Sequence, residues 1–167
     1  MAIIAGDIDY HLSGATGTPA TSLGGAIHAT QITDATTHNL FDIVSSAEAS
    51  AGDTEYRCFY VKNNHGSLTL QNAEVYITTN TPSTDTAIRI ALGTSAVDGV
   101  EQTIVDESTE PSGVSWSTAD GSGNALSIGD IPFGEHKAIW VERVVGAAAS
   151  AYTDDNVVIT VVGDTAA

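Results

Sequence analysis

Strict alternation of apolar and polar positions marks the clearest strand candidate, residues 72–80 (NAEVYITTN). Ala73, Val75 and Ile77 alternate there with polar or aromatic neighbours. A period of two is typical of a half-buried β-strand, because successive side chains point to opposite faces. The segment therefore predicts a strand with one face on a core.

Further runs rich in β-branched and aromatic residues predict the remaining strands. They are residues 8–12, 40–44, 55–63, 87–92, 114–118, 125–128, 135–145 and 156–162. Two alanine-rich runs, 47–51 and 147–151, are too short for isolated helices and allow at most a helical turn. Turn residues separate the runs, and all four prolines lie outside them. The pattern predicts an all-β fold, an antiparallel β-sandwich with immunoglobulin-like or jelly-roll topology.

Residues 14–37 differ from the rest because they are rich in Gly, Ala, Ser and Thr and alternate weakly. A chain of 167 residues is about one domain in length. We predict an extended N-terminal arm over residues 1–37 and a sandwich domain over residues 38–167. Such an arm suits a subunit that reaches onto a neighbour.

The charge balance excludes several classes of partner. With 21 acidic and five basic residues the formal net charge is −16. Nucleic acids and anionic membranes are bound by cationic surfaces, so neither is expected as a partner. The start of the chain lacks the pattern of a signal peptide, and no apolar run approaches the roughly 20 residues of a membrane helix. We therefore expect synthesis in a cytoplasm.

All the basic residues lie in predicted strands. They are Arg57, Lys62, Arg89, Lys137 and Arg143. One interpretation is cross-strand charge pairing, for which Glu55, Glu74 and Glu142 are suitable partners. The other interpretation is a contact surface, where arginine side chains would bind a partner's carboxylates.

A search for catalytic chemistry finds no nucleophile elbow, no phosphate-binding loop and no histidine pair with zinc spacing. The single cysteine, Cys58, is interpreted as a buried apolar residue. Carboxylates at 106, 107 and 110 are interpreted as solvated charges rather than as a glycosidase pair. We predict no enzymatic activity, no cofactor and no metal site, although oxygen-rich segments 120–124 and 154–156 leave a structural calcium open.

Three segments carry a resemblance to a known family: LSGATGTPATSLGGAI, LFDIVSSAEASAGDTEYRCFYVKN and GDIPFGEHKAIWVERVVGAAASAYTDDNVVITVVGDT. Together they resemble small tailed-bacteriophage virion proteins, over about residues 8–165. The resemblance implies a β-sandwich accessory protein that decorates or cements a capsid, and it carries no active-site residues.

The implied partners are the major capsid protein or other virion subunits, with further copies of the chain in a homo-oligomer, for which a trimer is expected. The implied location is the virion, after synthesis in the host cytoplasm. Two groups of residues are expected to contact the partner. They are Ile8, Tyr10 and Leu12 of the arm, and the strand residues Arg57, Arg89 and Arg143.

Three alternatives stay open at this point. The first is a tail or baseplate module that binds another virion protein or a host glycan, which exposed Trp116 and Tyr152 would favour. The second is a glycan-active enzyme, which requires two facing carboxyl groups about 5–9.5 Å apart. The third is a surface-layer or pilus-like subunit, which the missing signal-peptide pattern disfavours.

Overall fold

The computed structural model describes residues 2–165, and these form an antiparallel β-sandwich. Ten strands are present in this range. They are β1 (Ile8–Ser13), β2 (Gly24–Gly25), β3 (Ile27–Gln31), β4 (Asp53–Asn63), β5 (Leu70–Thr79), β6 (Thr86–Leu92), β7 (Glu101–Thr103), β8 (Leu126–Ile131), β9 (His136–Val145) and β10 (Val158–Thr165). Three short 3-10 helices lie at Ala5–Asp7, Pro19–Thr21 and Ser122–Asn124.

The helix α1 (Ser46–Ala51) is the only α-helix in this part of the chain. Its N-cap, Ser45, accepts a hydrogen bond from the backbone N–H of Glu48, whose carboxylate accepts one from the Ser45 backbone in return. This reciprocal capping explains why so short a segment is helical. No helix within residues 2–165 is long and apolar enough to cross a membrane.

Two sheets face each other across the main core. The first has five strands in the order β3-β1-β4-β9-β6, and the second has three strands in the order β10-β5-β8. Odd-numbered residues of β4 and β9, such as Phe59 and Val141, pack against the inward residues of β5, such as Val75 and Ile77. The alternation predicted for residues 72–80 is therefore confirmed, and it places these apolar side chains between the sheets.

A second layer covers the other face of the five-stranded sheet. Cys58, Tyr60 and Trp140 form a separate buried cluster there. It is covered by residues 14–26, by the β2-β7 ribbon and by the segment around Trp116. The centre of the larger sheet is consequently buried on both faces, as the interpretation of Cys58 required.

The extended N-terminal arm is not what the structure shows. β1 pairs with β4 from Ile8 opposite Asn63 to Leu12 opposite Phe59, and β3 pairs with β1. Residues on both sides of position 37 thus share one sheet. The glycines of this region serve close packing: Gly24 has φ +89°, and a Cβ there would overlap the carbonyl oxygen of Gln102.

Several predicted elements differ in the structure. Residues 40–44 form no strand, because side chains hold them at the end of the sandwich. Residues 114–118 make only an isolated bridge, in which Ser117 and Ile90 exchange backbone hydrogen bonds, and residues 147–151 form no helix. The segment 117–121 then crosses to β5, where Ala119 accepts from the N–H of Ile77. It therefore covers the edge of β6.

Candidate functional site

Two arginines lie buried between the sheets at one end of the sandwich. Arg57 is 0% exposed, and the side chain of Arg143 is 10% exposed. The Nε of Arg143 donates to Glu55 Oε2 over 2.6 Å, and Arg57 pairs with Glu107. Asp42 Oδ1 lies 3.4 Å from Arg143 Nη2 and 4.0 Å from Arg57 Nη2. We call these five residues the arginine cluster.

Phe41 covers the arginine cluster from the outside. Its ring centroid lies 4.8 Å from the guanidinium carbon of Arg143 and 5.4 Å from that of Arg57. Arg143 Nη1 also donates to the backbone carbonyl of Asp42 over 2.7 Å. Cation–π contacts of this kind are strongest where water is excluded. The cluster therefore clamps residues 41–42 and the loop carrying Glu107 to the sheet.

Glu55 is the acid at the centre of the cluster and is 1% exposed. Burial raises its pKa, and the charges of Arg143 and Arg57 oppose that effect. Removing one member of such a buried group leaves an uncompensated charge, which typically costs about 3–5 kcal/mol. The cluster thus behaves as an internal structural element.

Two further cations are also bound within the chain. Arg89 of β6 lies opposite Glu142 of β9 and forms a two-pronged ion pair, with Nη2 donating to Oε1 over 2.7 Å. The ammonium of Lys137 donates to the carbonyl oxygens of Gly93 and Ser95. Cross-strand charge pairing, one of the two interpretations of the basic residues, is therefore confirmed for Arg89 and Arg143.

A second buried acid, Glu101, fastens the loop that precedes β7. Its carboxylate accepts from the backbone N–H of Ser95 and from the hydroxyl of Thr94, each over 2.9 Å. Burial by itself raises the pKa of Glu101, but these hydrogen bonds outweigh burial and lower the pKa to about 2. Its backbone N–H donates to the hydroxyl of Tyr60 over 3.0 Å. Glu101 thus ties the loop at residues 94–95 to Tyr60 of the sheet.

Most residues predicted to contact a partner are turned toward their own chain. Leu12, Arg57 and Arg143 are buried, and Ile8 and Tyr10 pack against the main core. Arg89 keeps a larger exposure, with 43% of its side chain accessible. The structure brings Arg57 and Arg143 together and leaves the other four apart from them.

The acids considered for catalysis take part in local structure. Glu107 pairs with Arg57, Glu110 accepts from the indole N–H of Trp116, and Asp106 accepts from Thr109. Among residues 2–165 no three His, Cys, Asp or Glu side chains are placed to share a metal ion.

The two oxygen-rich segments considered for calcium also bind within the chain. Asp120 accepts a hydrogen bond from the side-chain amide of Asn124 over 2.6 Å. Asp155 accepts from the backbone N–H of Ser83 and from the hydroxyl of Thr86. These contacts occupy oxygens that a calcium ion would need.

Exposed apolar side chains mark two candidate contact surfaces. The first is beside the arginine cluster, where Ile43 follows Asp42 and is 70% exposed, while Val105 precedes Glu107 by two residues and is 85% exposed. Because Asp42 and Glu107 both bind Arg57, the two loops are held next to each other. We call this surface the cluster end.

The second surface is the outer face of the three-stranded sheet. Val158, Thr160 and Val162 of β10 point outward there beside Tyr76 and Thr78 of β5. Sequence reasoning missed this surface, although an unbroken run of β-branched residues in 157–162 already placed apolar side chains on both faces of that strand. These five positions carry no charge, and the nearest acid on the same face is Glu74 of β5, which lies opposite Val162.

Clefts lie at two further places on the surface. One lies between residues 14–26 and β7 and is lined by apolar residues that include Leu23 and Ile104. The other lies over β5 and β10 and is lined by Asn72, Glu74 and Asp164.

Comparison of the chain with protein-family models, with curated proteins and with solved structures found no match in any of the three.

Proposed function

We propose that this protein is a non-enzymatic structural protein of a bacteriophage virion that binds the capsid surface and decorates or stabilises the shell. The observation that carries the proposal is the distribution of charge. Arg57, Arg89, Lys137 and Arg143 are bound to acids or carbonyls of their own chain, so the surface is dominated by carboxylates. Such a surface selects a partner with basic or neutral contact sites.

The internal use of acids supports a structural role in the same way. The carboxylates of Glu55, Glu101, Glu107 and Glu142 stabilise the sandwich through buried or half-buried contacts. A protein that must hold its shape on a shell benefits from loops fastened in this manner. Each bound copy shifts the balance toward the assembled shell, because it binds that state alone.

The cluster end is the surface that we assign to capsid contact. Ile43 and Val105 are large exposed apolar side chains on loops that the arginine cluster holds in place. A loop that is already held in place loses little conformational entropy when it binds a partner. Apolar side chains on such a loop are therefore favourable anchors for an interface.

Co-sedimentation with purified capsids that lack this protein tests the proposal. We expect saturation at a fixed ratio near one copy per major shell subunit, read from a quantitative gel. Val105→Asp and Ile43→Asp should lower occupancy at least tenfold. Phe133→Asp is the matched control, because Phe133 is 57% exposed in the turn at the opposite end of β4 and β9. A few copies per particle, or none, would contradict the proposal.

The tail or baseplate alternative stays a second proposal without a specific observation in its favour. Tyr152 is 54% exposed, but Trp116 stacks on Tyr56 with ring centroids 5.5 Å apart and donates its N–H to Glu110. Neither aromatic residue lines either cleft described above. Binding to isolated tails rather than to capsids in the same sedimentation test would favour this alternative.

A further inference from the structure

The outer edge of β10 pairs with no other strand within residues 2–165, and the chain's own hydrogen-bond contacts with β10 from outside the sheet come from Tyr10 and Ile3. All backbone hydrogen bonds that β10 makes with residues 2–165 run to β5, whereas the edge of β6 is covered by residue 117. The hydroxyl of Tyr10 lies close to the backbone of Val161, and the hydroxyl of Thr165 accepts from the N–H of Ile3. An open row of N–H and C=O groups is a template for another strand.

The edge of β10 is also regular. Its pairing with β5 shifts register twice, and each time the extra residue is on β5: positions 158 and 159 face 79 and 77, and positions 162 and 164 face 74 and 71. The strand contains no proline and no lysine, two residues that commonly block edge pairing. By contrast, β8 at the other edge has a bulge next to Gly129.

Its sequence is symmetric about Thr160. The outward side chains read Val158, Thr160 and Val162, and the inward ones on either side of the centre are Ile159 and Val161. If two copies pair antiparallel with Thr160 opposite Thr160, each Val158 faces Val162 of the other copy. Every opposed pair within positions 158–162 is then β-branched, which suits cross-strand packing.

We propose that β10 pairs with β10 of a second copy across a two-fold axis through Thr160, joining two three-stranded sheets into one sheet of six strands. This pairing is isologous, so it closes at two copies in place of the expected trimer. The proposal concerns the free protein and does not depend on the virion role. Only its use between neighbouring copies on a shell rests on the proposed function.

Charge favours a second copy at this edge over other parts of the surface. Each copy carries a net charge of −16, so association requires a region without opposed carboxylates. In the proposed register Asp164 faces Asn156, and the neighbouring Asp155, which is bound to Ser83 and Thr86 of its own chain, faces Thr165. The two Asp164 residues lie eight positions apart along the strand. That separation is roughly 27 Å, well beyond the Debye length of about 8 Å at physiological salt.

The contact is small, because one strand per copy reaches only the low end of the area range for specific interfaces, about 1,200 Å². We therefore expect a reversible dimer. On a shell, the high local concentration of bound copies would be sufficient to populate it.

Sedimentation equilibrium of the full chain tests the dimer. We expect the mass to rise from 17.1 kDa to twice that value with concentration, and dimerisation to strengthen from about 0.05 to 0.5 M salt because screening weakens repulsion. Binding to basic sites on a capsid would weaken over the same range. The opposite salt dependences distinguish failure of the dimer from failure of the proposed function.

Matched variants locate the interface. Val162→Glu adds a like charge at a side chain that is 39% exposed and should weaken the dimer at least tenfold, whereas Val100→Glu adds the same charge at a side chain that is 69% exposed elsewhere and should not. Tyr10→Phe frees the backbone of Val161 and should leave the dimer at least as strong. A mass of 17.1 kDa up to roughly 1 mM at high salt, or a trimer, would overturn the proposal.

Disulfide trapping gives an independent test. Thr160→Cys places two thiols on the axis and should form an intermolecular disulfide under mild oxidation, while Thr78→Cys, one strand further from the axis, should not. The native Cys58 is 0% exposed and does not interfere. Equal cross-linking of both variants would contradict the two-fold register.

Discussion

The two sheets of the sandwich are covered to different extents. The five-stranded sheet has the three-stranded sheet on one face and residues 14–26, the β2-β7 ribbon and Trp116 on the other. The three-stranded sheet is covered on its inner face, and Val158 and Val162 on its outer face are 46% and 39% exposed. The centre of the larger sheet is thus buried on both faces, whereas the smaller sheet is buried on one face and exposed on the other.

Charged residues follow the same division. The larger sheet contains Glu55, Arg57, Glu142 and Arg143, each at most 9% exposed and each paired. A buried charge is tolerated only when it is paired, so these positions are sensitive to substitution. On the outer face of the smaller sheet, Glu74 lies in a half-exposed environment, where a charge costs little.

The largest expected effect comes from breaking the arginine cluster. Arg143→Met should lower the free energy of unfolding by about 3–5 kcal/mol, because Glu55 loses its closest cation. Urea denaturation gives the value. Adding Glu55→Leu should recover a large part of the loss, and Glu74→Gln on the smaller sheet should change stability by under about 0.5 kcal/mol. Similar losses of stability for Arg143→Met and Glu74→Gln would show that charged residues contribute equally to stability on the two sheets.

Two glycines with similar φ angles allow the packing of the second layer to be compared with that of β8 in the smaller sheet. Gly24 has φ +89° and Gly129 has φ +86°, so alanine is strained at both positions by roughly 1–2 kcal/mol. A Cβ at Gly24 would also overlap Gln102, whereas a Cβ at Gly129 meets nothing within 4 Å. We expect Gly24→Ala to cost about 1–3 kcal/mol more than Gly129→Ala in thermal or urea unfolding. Equal costs would mean that the second layer is loosely packed.

The pH dependence of stability tests the buried acid Glu101. Its pKa falls from 4.5 to about 2 on folding, so its contribution is complete above pH 4.5 and is lost as the pH falls toward 2. Glu101→Gln should lose about 1–3 kcal/mol at pH 7 and show a flatter decline between pH 4.5 and 2. Unfolding curves at several pH values provide the measurement. If the free energy of unfolding of Glu101→Gln fell as steeply between pH 4.5 and 2 as that of the unchanged protein, Glu101 would not be the cause of that fall.

The smallest expected effect is at the exposed Val162 of the smaller sheet, and it is compared with that at a buried valine of the larger sheet. Val141→Thr, at a side chain that is 0% exposed, should cost about 1–3 kcal/mol because it buries a hydroxyl. Val162→Thr on the outer face should change stability by no more than about 0.5 kcal/mol. Urea unfolding of both variants under dilute conditions compares them without interference from self-association.

Sequence reasoning was strongest where a strand has one buried face. The alternation of Ala73, Val75 and Ile77 predicted β5 and its inward side correctly, since a period of two leaves a single choice of face. It was weakest where a segment is held by hydrogen bonds from side chains and not by backbone pairing with another strand. Residues 40–44 look like a strand in sequence, but Arg143 binds the backbone of Asp42 and so holds the segment outside any sheet.

The candidate surfaces were harder to predict than the fold. Arg57 and Arg143 were expected at a partner interface, because local sequence does not show which carboxylates a distant loop supplies. Glu107 lies 50 residues from Arg57, and Glu55 lies 88 residues from Arg143. The first contact depends on the path of a loop and the second on which strands pair and in what register, and hydrophobic periodicity reports neither.

By itself, the sequence determined the all-β class, most of the strands and the inward faces, because these follow from local periodicity and the positions of glycine and proline. Only the tertiary structure decided that residues 8–31 join the sandwich and that the arginines are internal. It also decided that β10 lies at the edge of its sheet. Each of these depends on which distant segments meet, and packing of the whole chain settles that choice.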